Sequence, residues 1–142
     1  MARTKKQIEN ARKLIAALRE LPDEASPSEP TQVTGDGLFL WDFGTIYQKV
    51  QEEDSFCGTL GCAMGLAQEL KIAKSYDGFR LATAERIVEP LAKALGLSIF
   101  EAMRLFYGYG NFYEEHYFDA MSDGITPHMV AKQLERVLGR SP

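Results

Sequence analysis

The stretch from Thr59 to about Ile72 limits the choice of fold more than any other part of the chain. Through Leu70 it has almost no polar side, because Leu60, Cys62, Ala63, Met64, Leu66, Ala67 and Leu70 fill it. At helical period these residues go nearly all the way round, and a helix apolar on every side has to be buried. Gly61 and Gly65 stand four apart, on one face of such a helix. Each glycine costs roughly 1 kcal/mol of helix propensity against alanine, which close approach of a neighbouring backbone offsets. The expectation is a central helix over about 59–72, capped by Thr59, with the other elements packed around it.

Amphipathic helices flank this centre. Thr4-Lys5-Lys6-Gln7 fits a capping box, followed by the stripe Ile8, Ala11, Leu14, Ile15, Leu18 and Leu21, which Pro22 ends. Residues 84–95 give a second helix, with Ile87, Val88, Leu91, Ala92 and Leu95 inward, Gly96 as its stop, and Pro90 predicting a kink or a late start. Ser98-Ile99-Phe100-Glu101 is another capping box, opening a short helix through Phe106. Thr126-Pro127 reads as an N-cap followed by proline at the first helical position, leading into Val130, Leu134, Val137 and Leu138, with Gly139 at the end. Residues 22–37, with three prolines and two glycines, read as a polar loop with no reason to pack. The fold class is mostly α: about five helices in one domain over 1–142, with at most a short strand or extended segment near 38–43. Within it, 1–21 is the N-terminal helix, 22–37 the loop and 38–142 the helical core.

A chain of 142 residues buries enough surface to fold without metal or disulfide staples. No apolar run is long enough for a membrane span, and no signal peptide opens the chain, so the setting expected is cytoplasmic. The net charge of −4 argues against a surface that tracks a phosphate backbone. That charge is uneven. Residues 1–13 carry Arg3, Lys5, Lys6, Arg12 and Lys13 against Glu9, whereas Leu105–Ala131 hold Glu114, Glu115, Asp119 and Asp123 and no Lys or Arg. Leu91–Ser98 resemble the first helix and turn of a helix-turn-helix. The helix after them offers only Arg104 to read or grip a nucleic acid. The turn therefore reads as a packing hairpin, and nucleic acid is not the partner expected.

Two places could carry chemistry. If Thr59 caps the central helix, Cys62 lies in its first turn, where free N–H groups favour a thiolate. Cys57 then stands near enough to resolve it, which makes the pair a redox candidate; two small buried thiols are the plainer alternative. A zinc site drawn from Cys57, Cys62, His116 and His128 lacks the tight spacing of structural sites and is the weakest of these readings. No Gly-rich phosphate loop or catalytic triad spacing is present, and no cofactor is called for.

The second place is aromatic. Residues 100–118 contain eight of the fifteen aromatic side chains, interrupted by Gly108 and Gly110. Tyr107, Tyr109, Phe112, Tyr113 and Tyr117, beside Glu114, Glu115 and Asp119, have the composition of an interface anchor with an acidic rim. Some of these rings have to be core instead.

Phe43-Gly44-Thr45, the run Cys57-Gly58-Thr59-Leu60-Gly61-Cys62-Ala63-Met64-Gly65, Leu95-Gly96-Leu97-Ser98 with Leu105-Phe106, and Ile125-Thr126-Pro127-His128-Met129-Val130-Ala131 occur in that order. In this the chain resembles a family of small bacterial and phage proteins of uncharacterised activity. That family has a Gly-Thr-(aromatic) segment, a Cys-Gly-Thr-x-x-Cys-x-x-Gly motif and a closing Thr-Pro-x-x-Val-Ala helix. The resemblance covers roughly 38–138. It departs at Leu66, where the family commonly has Trp, and at Ile46, where an aromatic is usual. It implies a mostly α fold in a prokaryotic cytoplasm and adds no reaction. The function expected is therefore a non-catalytic interaction module of bacterial or phage origin, an inhibitor or accessory factor in kind, docking on a protein partner of basic character through 107–119. A second copy of the chain is another candidate partner, and the alternative function is a small thiol-redox or metal-dependent protein using Cys57 and Cys62.

Overall fold

Among the described residues, five helices and a four-stranded sheet share one apolar core in a computed structural model of the chain. The structure describes residues 3–24, 27, 31–34, 37–41, 48–50, 58–61, 63–73, 84–107 and 125–139, with only the backbone described at 34, 37, 48–50, 58–61, 84–87 and 107. In chain order the elements are α1 (Lys5–Glu20), β1 (Thr31–Thr34), β2 (Gly37–Trp41), β3 (Gln48–Val50), β4 (Gly58–Gly61), α2 (Ala63–Glu69), α3 (Ala84–Leu95), α4 (Ile99–Tyr107) and α5 (Pro127–Gly139). The chain is mostly helical, as its periodicity implies.

The helix ends follow the local chemistry. The Thr4 hydroxyl accepts from Gln7 N–H while the Gln7 side chain accepts from Thr4 N–H. Ser98 and Glu101 repeat that exchange at the head of α4. At α5 the Thr126 hydroxyl accepts from Met129 N–H, and the returning acceptor is the Met129 sulfur, 3.4 Å from Thr126 N. Proline occupies the first helical position, where no donor is lost. Inside α3, Pro90 neither delays the start nor ends the helix, which runs unbroken from Ala84 to Leu95.

The sheet is larger than the sequence suggests. The segment expected near 38–43 is β2, but it is one of four short strands in the order β1-β2-β4-β3. β1 pairs antiparallel with β2, β2 parallel with β4, and β3 antiparallel with β4. Thr31–Thr34 thus leave the loop expected over 22–37, and Val33 packs against the core. Side chains of β2 alternate: Phe39 and Trp41 are buried, Leu38 and Leu40 half-buried. The Trp41 indole donates to Ile125 O at 2.9 Å, pinning the sheet to the entrance of α5.

The central helix is shorter than 59–72. Thr59 lies in β4, opposite Phe39 of β2, so it caps nothing, and the helix runs from Ala63 to Glu69. Gly61 and Gly65 consequently belong to different elements. Over four residues, periodicity does not distinguish a strand from a turn of helix. The burial itself is as expected: Ala63 through Ala67 are all buried.

Two helices stop by the same device with different residues. After α3, Gly96 takes φ +74° and Leu97 N–H bonds to Ala92 O. After α2, Lys71 takes φ +61°, with Lys71 N–H on Gln68 O and Ile72 N–H on Ala67 O. A left-handed residue there satisfies the last carbonyls, but a side chain in that conformation costs roughly 1–2 kcal/mol. The two positions should respond in opposite directions in urea titrations. Lys71→Gly is expected to stabilise by about 0.5–1 kcal/mol once the extra backbone freedom of glycine is counted. Gly96→Ala is expected to destabilise by at least about 1 kcal/mol, because its Cβ would also come within 2.8 Å of Arg3 Cγ.

Candidate functional site

Little of the expected site falls on described residues. Tyr107 is the last residue of α4, described in backbone only, while Tyr109, Phe112, Tyr113, Glu114, Glu115, Tyr117 and Asp119 lie outside the described residues. Cys57, Cys62 and His116 also lie outside them. Cys62 was to sit in the first turn of a helix capped by Thr59, but the intervening Gly58–Gly61 is strand. His128 is the only one of the four zinc candidates to be described. Its Nε2 lies 2.8 Å from Leu21 O and its Nδ1 3.8 Å from an Asp23 carboxylate oxygen, so it holds α5 to the end of α1. Among the described residues no three His, Cys, Asp or Glu side chains are grouped to hold a metal.

The basic cluster at the N-terminus has a role that composition does not reveal. Arg3 donates through Nε to Gly96 O at 3.1 Å and through an Nη to Leu138 O at 3.3 Å. The Gln7 amide donates to Lys93 O at 3.0 Å, and the buried Asn10 amide to Ala94 O at 2.9 Å. On the same helix, Lys13 Nζ donates to Leu70 O at 3.1 Å. The carbonyl ends of α2 and α3 therefore meet donors carried by α1, and those of α3 and α5 also meet Arg3, just before its N-cap. Helix C-termini leave up to four carbonyls unpaired and carry partial negative charge, and here amides and cations answer both. The spacing 3, 7, 10 and the basic residues are visible in the sequence. Their targets are not, because backbone carbonyls of distant helices leave no trace in it.

Two open surfaces among the described residues bear on binding. On α4, Phe100 is 68% exposed, whereas Phe106 is 2% exposed on the same helix. The Arg104 guanidinium lies 5.5 Å from the Phe100 ring centroid. The second surface is a groove of about 290 Å³ between α1 and α5, lined among others by Ile8, Arg12, Ile15, Glu135 and Leu138. Ile8, expected in the inward stripe of α1, is 39% exposed at this groove. Ala11, Leu14, Leu18 and Leu21 of that stripe are buried as expected, and Asn10 beside them donates to Ala94 O of α3.

Truncation should separate these roles. Asn10→Ala is expected to cost about 1–2 kcal/mol in urea unfolding, since it strands a carbonyl in a poorly hydrated site. Arg3→Met keeps the apolar stem, loses both bonds, and is expected to cost about as much. Lys13→Met, at a more exposed position, should cost roughly 0.5 kcal/mol. A scan against family models gives no match, and searches of curated proteins and of solved structures return none either.

Proposed function

We propose that the protein is a non-catalytic interaction module that docks on a basic protein partner through the aromatic, acidic segment beginning at the end of α4. The observation that carries this reading is Phe100, a large apolar side chain 68% exposed on the helix that leads into the segment. Burying such a ring is worth roughly 1.5–3 kcal/mol. A single exposed apolar residue is unremarkable on a protein surface. This one stands on a helix that ends in Tyr107 and is followed by Tyr109, Phe112, Tyr113 and Tyr117. Rigid rings of this kind are the usual anchors of interfaces. Glu114, Glu115, Asp119 and Asp123, with no Lys or Arg from Leu105 to Ala131, favour a basic partner and would raise the rate of encounter more than the depth of binding. The family resemblance supports a bacterial or phage cytoplasm as the setting, and an inhibitor or accessory factor as the kind of module.

Two variants test it by pull-down against extract at low and high salt. The double variant Tyr109→Ala/Tyr113→Ala is expected to lose a Lys- or Arg-rich partner that the wild type retains at low salt, with an unchanged circular-dichroism spectrum. Phe100→Ser is expected to weaken retention at least several-fold without lowering stability, because its ring is already in water. Equal retention by all three proteins overturns the reading.

A further inference from the structure

We infer that the groove between α1 and α5 seats the acidic, aromatic segment 107–119 of a second copy of this chain. The inference rests on the proposed docking role of that segment and names its basic partner. The groove has the matching chemistry. Lys5, Ile8, Arg12, Ile15 and Arg19 recur at three- and four-residue spacing, so one edge of α1 alternates cation and aliphatic side chain. Ile8 is 39% exposed and Ile15 half-buried, and Leu138 of α5 lines the opposite side. The cations along this edge are not equally committed. Arg3, at the end of the groove, is held by the carbonyls of Gly96 and Leu138, and Arg19 pairs with Glu135. Arg12 lines the groove, is exposed, and has no ion pair among the described residues.

The occupant such a groove selects has apolar rings to cover Ile8 and Ile15, carboxylates to meet Arg12 and Lys5, and no base to repel them. Residues 107–119 have that composition: Tyr107, Tyr109, Phe112, Tyr113, Tyr117 and Phe118 with Glu114, Glu115 and Asp119, and neither Lys nor Arg. Within one copy the segment returns to α5 at Pro127, the end that His128 fixes beside Leu21. Arg3 and Leu138 mark the opposite end of the groove. The segment's attachment to α5 is thus at the far end from Arg3 and Leu138, and a second copy presents its segment to the groove without that tether. Each copy offers one groove and one segment, so association either closes as a reciprocal pair or continues head to tail.

Light scattering across a concentration series tests this with the full chain. The wild type is expected to show a mass above that of one chain that rises with concentration and falls with salt. A groove variant (Ile8→Asp/Arg12→Glu) and a segment variant (Glu114→Lys/Glu115→Lys) should each associate at least tenfold more weakly. Circular dichroism and thermal melting should leave the groove variant folded, since both its positions face solvent. Mixing the two variants restores one intact groove and one intact segment, so a one-to-one complex is expected from the mixture alone. A wild type that stays monomeric at every concentration overturns the inference and leaves a different basic partner to be found by pull-down. A groove variant that associates as the wild type does overturns the groove assignment alone. If the segment variant also associates unchanged, the docking role of 107–119 fails with it.

Discussion

The carbonyl ends of α2, α3 and α5 converge on the start of the chain, on α1 and the residue before its N-cap, and most of the acceptors met there are partly buried. Gln7, Asn10 and Lys13 meet them from α1, and Arg3 from just before its N-cap, by donation to Lys93, Ala94, Leu70, Gly96 and Leu138. Each bond is modest, worth about 1 kcal/mol net, but leaving a buried carbonyl unpaired costs more than making the bond gains. The arrangement accordingly fixes orientation more strongly than it adds stability. A rotation of α1 about its axis that kept Leu14 and Leu18 in the core would still take Asn10 away from Ala94. Apolar contact is tolerant of such rotations and directional donors are not. The exposure of Ile8 fits the same constraint, because α1 is turned to favour its donors over its full apolar stripe.

Helix ends were the most legible part of the fold. Thr4, Ser98 and Thr126 act on donors within three residues of themselves, so their effect is local and can be read from spacing. Strand pairing was hidden for the opposite reason. Gly58–Gly61 is a strand because β2 lies parallel beside it and β3 antiparallel on its other side, partners contributed from elsewhere in the chain. Its composition, two glycines around Thr59 and Leu60, does not favour a strand alone. Thr31–Thr34 were hidden in the same way: polar, flanked by proline, and strand only because β2 follows within hairpin distance.

The functional surface was legible in part. Clustering of tyrosine and acid beyond α4 is a matter of counting, and so is the lack of bases there. Which ring faces water is not. Phe100 and Phe106 are six residues apart on one helix, and only packing of α4 against α3 and α5 decides that the second is core and the first is not. The basic N-terminus shows a further gap between composition and role. Five cations in thirteen residues suggest a solvated face or an acidic partner, yet Arg3 and Lys13 are turned to backbone carbonyls of their own chain. The charge available to a partner is smaller than the charge the sequence contains.

Trp41 is the only tryptophan in the chain, and its indole spans the joint between β2 and the residue just before α5. It is 2% exposed, with its N–H on Ile125 O. Its emission is therefore set by a contact between sheet and helix, while the far-ultraviolet dichroism of the molecule comes mainly from helices α1 to α5. The two signals observe different halves of the same core. Coincident transitions would mean that sheet and helices melt as one cooperative unit. A red shift ahead of the loss of dichroism would mark the joint between Trp41 and α5 as the seam along which the molecule first opens.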